Sequence, residues 1–237
     1  MLAGQAVMVN WTDVALAHRH AYYEWHSREH MVGRVALPGF CRGRRYVAAK
    51  ASRDFLICYE VENIGVLSSQ AYLDKANAPS ELTRRTTPFV KNSSRALARV
   101  RASLGIGTGG CALTLRFDAQ PRCEEELEHH LSLEALPRVA EIAEIAGAHF
   151  CVADMEASKI VPVERQGRPT TVPKWIVIVE GVSLEAVNAA CDAHLAALRK
   201  HGSIETIERD TYTLQIVVTK VSGPSITDDL SLASRRP

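Results

Sequence analysis

The sequence lacks the features that mark several protein classes. No stretch of its 237 residues approaches the roughly 18–20 apolar residues of a spanning helix, so no transmembrane segment is expected. The N-terminus, MLAGQAVMVNW, has no basic segment followed by an apolar core and a small-residue cleavage site, which points to a cytoplasmic location. Lysine and arginine do not run in blocks, the formal net charge is +1 and aromatics are only 6%. A nucleic-acid or membrane partner is therefore not expected, because both need a sustained basic face. The six cysteines, at 41, 58, 111, 123, 151 and 191, form no CxxC pair, which argues against zinc ribbons and thioredoxin-type redox sites. They read as small core hydrophobes in a reducing compartment. Cys41 alone adjoins a chemically rich segment, with no base tied to it by sequence.

What is present is enough apolar residue, 46%, for a sizeable core in one large or two small domains. The richest segment is Trp25 to Tyr46. It opens as a helix with His26, Glu29, His30 and Arg34, stops at Leu37-Pro38-Gly39-Phe40, and continues as a strand with Arg42, Arg44, Arg45 and Tyr46.

Around it the chain shows one order of elements twice. In the first half, Ala6–Val9 reads as a strand. Thr12 and Asp13 are candidate caps of a helix over 14–35. Strands are expected at 44–49 and at Phe55–Val61, the latter rich in β-branched and aromatic residues. Ser68 or Ser69 caps a helix at 70–76, residues 77–92 look loop-rich, and a strand follows at 96–104. In the second half, strands are expected at 112–117, 149–155, 174–180 and 211–220. Helices are expected at 124–145, stopped by Gly147, and at 184–200, capped by Ser183 and stopped by Gly202. Strand-helix-strand-strand-helix-strand is the split βαβ of a ferredoxin-like unit. The expected fold is thus α+β: two tandem ferredoxin-like βαββαβ units, 1–108 and 109–222, forming an α/β-barrel-like pseudo-dimer, with a flexible tail at 223–237. Each sheet has an open face, so the two are expected to pack together. The glycine-rich stretch Gly105–Gly110 reads as the join between them. A phosphate loop there lacks the lysine and hydroxyl that should follow.

From Trp25 and His30 through Leu37-Pro38-Gly39-Phe40 to Arg44-Arg45-Tyr46, the sequence resembles the EthD-like branch of the dimeric α/β-barrel superfamily. The resemblance covers about 25 residues. It implies a pocket between helix and sheet for a small, mostly apolar molecule. The superfamily includes cofactor-free isomerases, cyclases, decarboxylases, dehydratases and monooxygenases, and some haem enzymes, so the fold does not choose the reaction. The second half keeps Glu128, His129 and His130 but has no Leu-Pro-Gly turn or arginine strand, and reads as a degenerate copy.

The residues suggest the following chemistry. His26 and His30, four apart, share a helical face, and an unperturbed imidazole shuttles protons near neutrality. His30, with His26 and Tyr46, is the expected catalytic set. Arg44, Arg42 and Arg45, with Tyr23 and Trp25, are the expected substrate contacts. Arg44 and Tyr46 share one strand face and Arg45 takes the other, and Arg44 with Tyr46 are expected to face the pocket. His26, Glu29 and His30 also spell the inverted zinc-protease pattern H-x-x-E-H, without a downstream third ligand. The expectation is a cofactor-independent lyase or isomerase acting on a small anionic or enolisable molecule, with no cofactor and a possible homodimer. The alternatives are a small-molecule-binding protein without turnover, a cofactor-free oxygenase, and a metal-dependent variant using His26 and His30.

Overall fold

The computed structural model describes residues 1–204 and 206–220. The expected tail at 223–237 lies outside the described residues. The first half contains strands β1 (Ala6–Val14), β2 (Phe40–Lys50), β3 (Phe55–Val61) and β4 (Val90–Gly105). Helix α1 (Arg19–Trp25) passes through a π-helical turn, His26–His30, into α2 (Met31–Val35), and α3 (Gln70–Asn77) and α4 (Glu81–Thr86) follow β3. The second half contains β5 (Cys111–Phe117), β6 (Ile145–Ala153), the short β7 (Thr170–Thr171), β8 (Trp175–Gly181) and β9 (Glu208–Thr219). Its helices are α5 (Glu124–His129), continuing through a second π-helical turn, His130–Ala135, into α6 (Leu136–Ala140), then α7 (Met155–Ser158) and α8 (Leu184–His194).

The strands run β4-β1-β3-β2 in the first half and β9-β5-β8-β6 in the second, which is the same order of first, second, third and fourth strand. The two sheets do not pack face to face as expected. They join edge to edge, β2 with β9 and β4 with β6, and close into one antiparallel barrel. Strands of 11, 16 and 12 residues at β2, β4 and β9 are long enough to reach across both seams. Beyond the β4–β6 seam, β7 pairs with β4 at Ser93 and Ser94. Closure satisfies the backbone groups that free edges would leave open.

Alternation along each strand divides the side chains into an inner and an outer set. The barrel interior holds Trp11, Leu56, Cys58, Ile176, Ile178 and Tyr212. Outside it, α1–α4 cover the first sheet and α5, α6 and α8 cover the second, each over its own apolar cluster. No helix among the described residues is long and apolar enough to cross a membrane.

Local chemistry explains most element ends. Ser69, Ser80 and Ser183 each accept a hydrogen bond from the backbone N–H three residues on, and so start α3, α4 and α8. Leu37-Pro38-Gly39 turns the chain from α2 into β2, which starts at Phe40. Gly39 has φ of +78° and a Cβ there would lie 2.4 Å from Val66. Several expectations need correction. Thr12 and Asp13 cap no helix. They belong to β1, where Thr12 donates to the Lys91 carbonyl and Asp13 accepts from the Asp54 N–H. Residues 77–92 hold α4. Gly147 does not stop a helix but lies inside β6, because α6 already ends at Ala140. Helix α8 ends at His194 rather than Lys200, and a 3₁₀ turn at Leu198–His201 leads into left-handed Gly202.

Candidate functional site

On the outer face of the first sheet, Met8, Asn10 and Thr12 of β1 and Ile57 and Tyr59 of β3 point toward the helices. Most of this layer is solid, but a cavity of about 60 Å³ remains between it and the helix run through His26 and His30. Trp25, His26, His30 and Arg34 wall one side, with Tyr22 and Tyr72. The roof comes from the second half: Glu164, Arg165 and Arg168 reach over it from the segment between α7 and β7. That segment is fastened by an Arg34–Glu164 ion pair and by the Val163 N–H donating to Asn77 Oδ1 at 3.0 Å.

The π-helical turn sets the histidine geometry. Four residues apart along it, His26 and His30 share one side of the helix and stack, with ring centroids 5.6 Å apart and planes 28° apart. His26 also stacks on Tyr22 at 5.1 Å, and His30 packs against Trp25 at 4.4 Å. Trp25 is itself held by its indole N–H donating to Thr83 at 2.9 Å.

The two imidazoles are not equivalent. A guanidinium nitrogen of Arg45 lies 3.2 Å from His26 Nδ1. Guanidinium groups only donate, so Nδ1 accepts and the proton of a neutral His26 sits on Nε2. His26 is thereby a fixed hydrogen-bond donor. Among the described residues no hydrogen bond comparably fixes His30. Burial, reinforced by Arg45, holds His26 well below the ordinary histidine value. Burial, then Arg34, His26, Arg168 and Arg165, does the same to His30. Both rings are neutral at cellular pH, so the expected titration near neutrality moves to the acid side.

Polar groups without partners converge on the same hollow. Asn10 Oδ1, Tyr22 OH, Tyr59 OH, Arg34 Nη1 and Arg168 Nε are buried, make no hydrogen bond, and belong to residues around this cavity. Buried polar groups are nearly always paired, so such a concentration marks a place where a ligand supplies the partners. Burial raises the Tyr22 and Tyr59 phenols well above their ordinary value, so both stay protonated as donors.

The expected site residues separate into three groups. His30, His26 and Trp25 are together at the cavity. Arg45 stands behind it, orienting His26 and lying over the Tyr23 ring at 4.7 Å. Tyr23 is not on the cavity wall, and its hydroxyl accepts from Gln215 at 3.1 Å. Arg44, Tyr46 and Arg42 take the other strand face and do not reach the cavity. Arg44 lies in the barrel interior, bridging Glu60 at 2.8 Å and Glu180, while the Tyr46 hydroxyl donates to Glu180. Arg42 pairs with Glu60 at the barrel end. Burial would raise Glu180, but Arg44 and His149 hold it at about 2. Arg44 and Tyr46 thereby join the two halves through Glu180, whereas Arg42 pairs within the first half. Glu29 of the H-x-x-E-H pattern turns to α4, accepting from Ser80 and Thr83, and among the described residues no three metal-ligating side chains gather. Burial raises the Cys41 thiol, which favours its protonated form. Asn10, Tyr59, Arg95, Arg165 and Arg168 went unnoticed in the sequence. They come from separate strands and a distant loop, and only strand parity could have singled out the first two.

No protein-family model and no curated protein matches the sequence. Solved structures do. An anthrone oxidase-like protein matches with a TM-score of 0.60 at 14% identity, over 90% of this chain and 92% of its own. A candidate monooxygenase from Lactobacillus acidophilus matches with a TM-score of 0.60 at 10% identity, over 91% and 96%. A protein described as a candidate chlorite dismutase matches with a TM-score of 0.54 at 12% identity, over 89% and 94%. The chain has the dimeric α/β-barrel fold. The EthD-like branch has no such support. The names of these neighbours all denote oxygen or redox chemistry, which overturns the expectation of a lyase or isomerase.

The superfamily that the sequence resembles includes some haem enzymes. The first-half cavity is far smaller than a tetrapyrrole. The corresponding layer of the second half is filled by Leu127, Leu131, Leu136, Phe150 and Trp175. The residues present do not fit a haem at either place.

Proposed function

We propose that the protein is a cofactor-independent oxidase or oxygenase of a small aromatic enol or phenol. One observation carries this reading: the cavity holds a neutral, unfastened His30 together with a ring of donors that have nothing to donate to. A neutral imidazole in a desolvated site is a base, and Tyr22, Tyr59, Arg34 and the Nε2–H of His26 are placed to receive the oxyanion that proton removal creates. Trp25, Tyr22 and Tyr72 give the aromatic walls. An enolate or phenolate so formed is electron-rich enough to reduce dioxygen directly; a hydroquinone passes two electrons and two protons to dioxygen, giving a quinone and hydrogen peroxide. For an activated methylene, one dioxygen gives a carbonyl and water: one oxygen atom stays in the product, and the other leaves with two hydrogens from the carbon. His30 takes the first proton and returns it to the departing hydroxide.

The cavity has room for a few waters, not for an aromatic ring. Substrate entry therefore requires the roof around Glu164 to lift, as lids do in many enzymes. The neighbour named for anthrone oxidation suggests a probe series. Oxygen uptake is measured with enolisable aromatics graded from a single-ring hydroquinone to anthrone. Uptake above the uncatalysed rate, falling at least about a hundredfold in a folded His30→Ala variant, is expected. Uptake unchanged by that variant, or no uptake across the series, contradicts the reading.

A further inference from the structure

Beside the inner cavity lies a second one of about 280 Å³, bordered by Ser158, Lys159 and Thr170. Arg95, Arg165 and Arg168 line both. Arg95 projects from β4 of the first half and is 4% exposed. The other two belong to the roof segment of the second half.

These three guanidinium groups have little to bind. Arg95 donates to Tyr72 OH and Met8 Sδ, each at 3.2 Å. Arg165 donates to Thr170 Oγ1 at 3.1 Å and Arg168 to the Glu164 carbonyl at 3.0 Å. The Nε of Arg168 is buried and unpartnered. Among the described residues no carboxylate forms an ion pair with any of them, and the one carboxylate of the inner cavity, Glu164, is taken by Arg34. Burial, with Arg95 and Arg168 as like-charged neighbours, lowers Arg165 to about 9. Three neighbouring cations with spare forked donors, whose nearby carboxylate Glu164 is already paired with Arg34, are a costly arrangement unless an anion joins them.

We propose that Arg95, Arg165 and Arg168 form a binding site for a small oxyanion. A substrate carboxylate and free phosphate share this chemistry, since a guanidinium forks onto either. Its role as a substrate handle rests on the proposed oxidase reading. The binding itself does not. Because Arg165 and Arg168 sit on the roof, an anion there draws the roof onto Arg95 and couples closure to the substrate's charge.

Calorimetry and thermal melts with benzoate, inorganic phosphate and neutral benzamide, at fixed ionic strength in sodium chloride, test this. Saturable binding of an anion but not of benzamide is expected. The Arg165→Gln/Arg168→Gln variant should weaken it at least tenfold, and Arg168→Lys, which keeps charge but not the fork, should weaken it less. Benzoate preferred over phosphate supports a carboxylate-bearing ligand, whereas phosphate preferred supports a free anion. Binding to neither, or equal binding by wild type and the double variant, overturns the site. Should the double variant fail to fold, Arg95→Gln is read in the same way. A His30→Ala variant that keeps benzoate binding while losing oxygen uptake shows the two claims to be separate. Benzoate binding with no oxygen uptake in wild type leaves the anion site standing and removes the oxidase.

Discussion

The two halves share strand order and pairing register, yet the first keeps a hollow where the second is solid. Position by position, the registers match Met8 and Tyr59 with Leu113 and Val179, and Asn10 and Ile57 with Leu115 and Val177. Arg45 and Phe150 correspond, each opposite the third-strand residue Ile57 or Val177. Both long helices even carry a π-helical turn at the same place, His26–His30 and His130–Ala135. What differs is polarity. Tyr59, Asn10 and Arg45 in one half become Val179, Leu115 and Phe150 in the other, and the apolar set packs solidly while Tyr59 and Asn10 leave a donor and an acceptor unmatched. Backbone repetition builds the barrel, and a handful of polar replacements on one outer face make it a site. Arg44 shows the same economy inside the barrel, where it joins the equivalent glutamates Glu60 and Glu180, while its counterpart His149 meets Glu180 at 3.2 Å and the Ser103 hydroxyl at 3.0 Å.

The largest expected contrast is between equivalent helices. His30→Ala should lower turnover by about a hundredfold to ten-thousandfold. His130→Ala, which removes a ring stacked on His201 at 3.5 Å in the other half, should leave turnover unchanged. Comparable losses in both, read from steady-state rates, would erase the distinction. Next, Phe150→Ala should destabilise the protein by about 3–5 kcal/mol in a denaturant melt, because it empties a filled layer.

A smaller effect concerns pH. His26 and His30 are depressed when folded, so the unfolded chain binds protons first as pH falls through about 6.5. Stability is complete above that value and falls below it, by at most about 1.4 kcal/mol per pH unit for each ring. The acid limb of kcat/KM should accordingly lie below pH 6.5. A folded His26→Phe/His30→Phe variant whose stability falls as steeply as wild type between pH 6.5 and 5 would assign the effect elsewhere. The smallest change is expected of Asn10→Leu, which imports the second half's residue and removes an unmatched oxygen. Stability should hold or rise by about 1 kcal/mol, with substrate binding weakened.

The sequence carried the repeated element order, the Pro-Gly turn and the histidine pair, because each rests on local chemistry that a short window contains. Parity along β2 separated Arg44 and Tyr46 from Arg45, but which face met the cavity was not local information. It depended on the sheets joining by their edges, which turned the Arg44 face into a barrel interior and left the Arg45 face under the helices. The π turn left no pattern in composition. The arginines of the roof were out of reach for the same reason: residues 165 and 168 meet residue 95 only through the packing of one half over the other.

Proton removal at the first-half hollow can be followed apart from any oxygen step. Under anaerobic conditions, exchange of solvent deuterium into the acidic C–H position of a bound aromatic ketone is measured by NMR for wild type, His30→Ala and His130→Ala. Exchange accelerated by wild type and by His130→Ala but not by His30→Ala is the predicted result. Exchange that persists in His30→Ala, or is lost equally in His130→Ala, would contradict it.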